Sequence, residues 1–169
     1  MNLEECRKSL NSPLKQRSLL FLVKDNEVLL GMKKSGFGQG KWLGIGGKVE
    51  IDESIEEATV REATEEIGVI PRDIQRVATL NFYFPNVEKP DHWNQQVCVF
   101  IAKKWDGKVR ESKEIYPKWF HFNEIPFSSM WSDAIHWLPN ILNDTKLIGN
   151  FLFVNESDIG EVHIDEGKT

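Results

Sequence analysis

The amino-acid sequence predicts a single α/β domain, on two observations. Short apolar segments of strand length recur along most of the 169 residues, and one stretch, Ser54 to Gly68, carries the full set of helix signals. With 40% hydrophobic residues the chain can bury one sizeable core, and no shift in composition marks a second domain.

Taken in order, residues 1–16 are polar and mixed and read as an N-terminal extension, leaving 17–169 as the domain. Ser18 to Val23 and Glu27 to Met32, bridged by Lys24-Asp25-Asn26, read as a hairpin of strands. Lys33 to Gly47 is a glycine-dense loop with lysines and aromatics. It lacks the GK[ST] ending of a P-loop and is not read as one. After the central helix, Val77 to Phe84, Gln96 to Ala102 and Lys118 to Phe122 read as strands, with Pro85 to Asn94 as a loop. Ser128 to Leu142 has a helical pattern in which Pro139 marks a kink or an end. Asn150 to Val154 and Glu161 to Ile164 would close the sheet.

The central helix is the informative element. Ser54 with Glu57 three residues on forms a capping box, and Gly68 suits the stop. Val60, Ala63 and Ile67 would face a core. Glu62, Glu65 and Glu66 fall on one face, where like charges three and four apart cost a few tenths of a kcal/mol per pair. A hard cation such as Mg²⁺, with Mn²⁺ as a substitute, would compensate, since it takes carboxylate oxygens and sits beside substrate phosphates. By charge pattern alone the stretch also fits a solvated acidic surface helix.

The spacing around those glutamates is more specific. Gly47, five residues, Glu53, seven residues, then Arg61-Glu62-Ala63-x-Glu65-Glu66-x-Gly68-Val69 resembles the Nudix box, with Ala63 a small variant in its aliphatic slot. The resemblance implies a Nudix α/β/α sandwich with a mixed sheet, a loop-helix-loop, and hydrolysis of a nucleoside diphosphate linked to another group. It implies that Glu62, Glu65 and Glu66 bind metal or prepare water, that Glu53 supports the site, and that Arg61 holds the glutamates through charge-assisted hydrogen bonds. Which glutamate is the base stays open, because crowded carboxylates titrate together.

Flanking blocks, LLGMKKSGFGQGKW before the box and ESKEIYPKWFHFNEIPFSSMW after it, are similar to the animal oxidised purine nucleoside triphosphatases. That likeness implies Glu114 and the Gly46 carbonyl as further metal ligands. It places Ser18, Lys33, Phe37, Leu43, Phe82, Trp131 and Asp133 on the substrate, with Lys33 at a phosphate and the aromatics around the base. Two positions depart from the pattern. Leu43 stands where the family has an asparagine that reads the purine edge, and Ala134 follows Asp133 where the family has a second aspartate. Leucine neither donates nor accepts, so base selectivity is the property these changes touch. Asp133 would either read a purine donor or cap the following helix.

Three functions are compatible with these residues. One is a Mg²⁺-dependent triphosphatase that clears 8-oxo-dGTP, 2-hydroxy-dATP or similar modified purine nucleotides. Another is a related hydrolase of a nucleotide sugar, a dinucleoside polyphosphate or an RNA 5′ end. The third is a non-catalytic nucleotide-binding module, which a degenerate box would have favoured. A net charge of −5 argues against wide contact with polymeric nucleic acid, leaving a small nucleotide as the partner. No apolar run is long enough to span a membrane and no leader pattern opens the chain, so a cytoplasmic monomer or dimer is expected. Cys6 and Cys98 form no metal pattern and read as free thiols, and His92, His121, His136 and His163 lack ligand spacing.

Overall fold

The hairpin that begins the domain shows how local chemistry sets the sheet. In the computed structural model, which describes residues 1–169, strands β1 (Lys15–Lys24) and β2 (Glu27–Lys33) are joined by Asp25 and Asn26 alone. Both carry positive φ, 51° and 64°, the signature of a type I′ turn whose twist matches the strands it connects. The chain then forms β3 (Trp42–Leu43), β4 (Ile45–Lys48), the central helix (Ile55–Ile67), β5 (Ile70–Arg72), β6 (Gln75–Tyr83), β7 (Gln95–Ala102), β8 (Lys104–Asp106) and β9 (Ile115–His121). A second core helix (Ala134–Leu142), β10 (Leu147–Phe153) and β11 (Ile159–Glu166) complete the fold.

Nine strands make one mixed sheet in the order β11-β10-β6-β7-β1-β2-β3, with β4 on β1 and β9 on β2. The β1–β7 and β10–β6 pairs are parallel and the others antiparallel. Short β5 and β8 pair separately. Alternation along each strand sorts side chains onto two faces. Leu20, Leu22, Leu29, Cys98 and Phe100 pack with Ala63 and Ile67 of the central helix. Phe21, Val28, Leu30, Val99 and Phe151 pack with Trp137, Leu138 and Ile141 of the later helix. The result is the α/β/α sandwich that the sequence predicts.

Three expectations change. Residues 1–16 are more than an extension: Leu3–Lys8 form a helix, capped by a reciprocal Asn2–Glu5 box, and this is α1, making the central helix α2 and the later one α3. Leu3 and Cys6 bury against Tyr83 and Leu152, on the same side of the sheet as α2. Second, only Ala134–Leu142 of the Ser128 to Leu142 segment is α-helical. Phe127–Ser129 form a 3-10 turn, and Pro139 sits inside α3 without ending it. Third, Val60 is half-buried and stays outside the cluster that Ala63 and Ile67 join; the other buried residues of α2 are Ala58, Thr59 and Glu66. Both cysteines are buried and free.

Removing residues 1–9 should strip the cover from Tyr83 and Leu152 and lower the unfolding free energy by about 2 kcal/mol, the scale for one buried leucine-sized side chain. A urea midpoint unchanged by the deletion would show that α1 adds nothing to the domain.

Candidate active site

The site is built where β4, the turn after it and α2 meet the ends of β1 and β2. Gly46 lies against Ser18, where a Cβ would come within 1.9 Å of the Ser18 carbonyl oxygen. At Gly47 a Cβ would meet Glu62 Oε1 at 2.6 Å, so a larger residue there would displace that carboxylate from beside the strand. The capping box at Ser54 and the left-handed Gly68, φ 71°, fix both ends of α2.

Arg61 ties the loop to the helix. Its guanidinium donates to both oxygens of Glu53, Nε at 2.6 Å and Nη2 at 3.0 Å, in the fork geometry that a lysine cannot supply. It also donates to the Lys48 carbonyl at 2.9 Å, to Glu62 at 3.0 Å and to Glu65 at 3.3 Å. The hydrogen bond from Arg61 holds the Glu53 carboxyl below the usual range, and Glu53 in turn raises the pKa of Arg61.

Glu66 is the buried acid, 8% exposed. Its pKa is pushed up to about 9, first by burial, then by a hydrogen bond shared with Glu62 and by the charges of Glu62 and Glu114. Lys33 opposes the shift. Glu65 instead turns outward, with its side chain 59% exposed beside Arg61. Nowhere do three His, Cys, Asp or Glu side chains converge into a closed metal cluster. Glu62, whose charge raises the Glu66 pKa, and Glu66 together form a carboxyl pair that could suit Mg²⁺, which takes one or two carboxylates and keeps water on its other positions.

Away from the carboxylates, glycines 36, 38 and 40 all have positive φ, and the loop they shape presents Phe37, 57% exposed. Phe37 stacks on Trp131 at 5.1 Å and meets Trp93 edge-on at 4.8 Å, while Lys41 lies over Trp131. Phe82 is buried in the core, stacked on Phe151. Leu43 is half-buried opposite Gly31. Asp133 does not cap α3: its backbone is already helical and its buried carboxylate accepts from the Trp137 indole at 2.8 Å. Burial raises the pKa of Asp133 against that hydrogen bond. Ser18 is buried, and its hydroxyl has no partner.

The structure therefore brings Gly46, Glu53, Arg61, Glu62, Glu66, Lys33 and Glu114 to one edge, and Phe37 and Trp131 to another. Residue patterns alone did not single out Trp93 and Trp137, which contact predicted site residues, because only the fold makes them neighbours. Arg17 was missed as well. It pairs with Lys48 in the sheet, and burial lowers its pKa while the Glu62 charge raises it. An arginine just ahead of the apolar run was its one available signal.

Comparison with known proteins gives the family and the fold. The NUDIX domain family model matches residues 14–141, and the chain belongs to the Nudix family. It is similar to the oxidized purine nucleoside triphosphate hydrolase of Danio rerio, 41% identical over 150 residues that cover 88% of this chain and 93% of the relative. The enzyme of the same name from Mus musculus is 38% identical over 142 residues, covering 84% and 88%. A crystal structure of a mutator MutT protein from Bacillus halodurans shares the fold, with TM-score 0.76 at 22% identity over 90% of this chain and 98% of that one. No helix is long and apolar enough to cross a membrane.

A carboxyl whose folded pKa of about 9 lies above its ordinary value near 4.5 binds its proton more tightly when folded, so the fold loses stability as pH rises between those values. In EDTA, Glu66→Gln should flatten that decline and leave the variant more stable than the parent at pH 8.5 by at least ~1.4 kcal/mol, the equivalent of one pKa unit. Parallel stability curves from urea titrations at pH 5.5, 7 and 8.5 would refute the assignment.

Proposed function

We propose that this Nudix hydrolase cleaves oxidised purine nucleoside triphosphates, such as 8-oxo-dGTP or 2-hydroxy-dATP, to the monophosphate and pyrophosphate, and so clears damaged nucleotides from the pool. The observation that carries the reading is 41% identity to a hydrolase of that name across 88% of the chain, with every charged position of the box filled.

In this reading Glu62 and Glu66 are the principal metal-side carboxylates, with Glu65, Glu114 and the Gly46 carbonyl as the outer members. A bound Mg²⁺ would supply charge neutralisation on the phosphates and a lowered pKa for the attacking water. Arg61 and Glu53 hold Glu62 toward the cleft. Lys33, already within the field of Glu66, receives a phosphate oxygen. Phe37 and Trp131 take the base between or beside them, a contact worth roughly 1–3 kcal/mol per base. Phe82 backs that wall, and Asp133, held by Trp137, meets a purine donor. Ser18 lines the floor through its backbone rather than through its enclosed hydroxyl. Cytoplasmic action on a free nucleotide, without polymeric nucleic acid, completes the proposal.

Leu43 supports a second reading within the same chemistry. It offers no hydrogen bond where a purine edge would be read, so a broader substrate range, including nucleotide sugars, follows from that one residue.

With Mg²⁺ and a panel of 8-oxo-dGTP, 2-hydroxy-dATP, the normal dNTPs and nucleotide sugars, the modified purine triphosphates should give the highest kcat/KM, with pyrophosphate as co-product. Activity confined to diphosphate-linked compounds would select the second reading. Glu66→Gln should lower kcat at least 100-fold at saturating Mg²⁺ while remaining folded, and retained turnover would remove Glu66 from the site.

A further inference from the structure

The segment 107–114, which joins β8 to β9 and carries Glu114 at its end, has no regular structure of its own. Its placement depends on tethers. One lies at the end of α2, where the Arg110 N–H donates to the Ile67 carbonyl at 3.0 Å and the Arg110 side chain lies over Gly68. Val109 packs there against the core that holds Ala63 and Ile67. The other end is held almost wholly by one residue. The Lys34 N–H donates to the Glu114 carbonyl at 2.9 Å, its ammonium donates to the Ser112 carbonyl at 2.7 Å, and the same ammonium pairs with Glu111. Inside the segment, Ser112 and Ile115 exchange hydrogen bonds at 3.1 and 3.2 Å and close the turn before β9.

We infer that Lys34 is a positioning residue for Glu114: by gripping the backbone at Ser112 and Glu114 and pairing with the Glu111 side chain, it holds that carboxylate toward Glu66. The inference rests on the reading of Glu114 as a metal-side carboxylate. An exposed Lys–Glu pair by itself contributes little. Here the ammonium also binds a backbone carbonyl, a charge-assisted bond that fixes the course of the chain rather than two mobile side chains. Lys34 also stands where the glycine loop closes, since Lys33 and Lys41, and Gly40 and Lys33, bond to each other one residue away. The aromatic wall and the carboxylate edge of the cleft are therefore hinged on the same pair of lysines. Lys33 faces the acids and Lys34 holds the strap.

The test is binding of Mn²⁺ alone to the full chain, followed by electron paramagnetic resonance, with thermal midpoints as a check on folding. Glu114→Gln and Lys34→Met should each weaken Mn²⁺ binding about tenfold, the usual scale for removing a partner that orients a ligand. Lys34→Arg should bind like the parent. The double variant should bind no more weakly than Glu114→Gln alone, because Lys34 acts through Glu114. If Lys34→Met does not fold, Lys34→Gln, too short to reach Ser112 with a charge, repeats the comparison. Parental binding by Lys34→Met beside a weakened Glu114→Gln, or additive losses in the double variant, would overturn the role of Lys34 alone. Parental binding by Glu114→Gln would remove the metal role of Glu114 and this inference with it. Neither outcome depends on which nucleotide is the substrate.

Discussion

The Arg61 guanidinium is the interaction on which the site depends. It spends its donors on Glu53 from the loop, on the Lys48 carbonyl from β4, and on Glu62 and Glu65 from its own helix. Four acidic or carbonyl groups from three elements are thereby fixed around one cation, with Glu50 a further neighbour at 3.6 Å. Without it, Glu53 and Glu62 would repel one another, and nothing in the loop between β4 and α2 has enough apolar surface to hold it down; Ile51 there is 94% exposed. Charge balance, not burial, shapes this edge of the domain.

The sheet supplies what the charges cannot. Ala63 and Ile67 seat α2 on Leu20, Leu22 and Phe100, and this fixes which way the helix is rotated. Glu66, next to Ile67, is consequently drawn under the surface and Glu62 is laid against Gly47, while Glu65 is left outside. Burying a carboxyl in this way costs stability unless it is protonated or paired with a cation. Such a cost fits the proposal that this site receives a metal cation.

Much of this was legible in the sequence, for physical reasons that also explain the rest. The helix and its caps were readable because capping boxes and C-terminal glycines act through neighbours in sequence, and the hairpin because Asp-Asn accepts positive φ. The same logic would have found α1, whose Asn2-x-x-Glu5 box is present in the sequence, but its two buried residues are too few to show an apolar stripe. The truncated start of α3 reflects tertiary preference: Met130 and Asp133 are drawn into the core, and Asp133 is committed to Trp137 instead of a cap. The crowding of three glutamates was visible, yet their division into two inward and one outward was not, since i, i+3 and i+4 spacing leaves the rotation of the helix undefined. Contacts between distant segments, such as Phe37 on Trp131 or Lys34 on Ser112, were beyond any local pattern.

Arg61→Lys tests the central claim most directly, because it keeps the charge and removes the fork. If the clamp organises the site, kcat/KM on the preferred nucleotide should fall at least 100-fold while the thermal midpoint moves by only a few degrees. Parental kcat/KM in that variant would mean that a simple positive charge suffices, and that the geometry around Arg61 does not set the site.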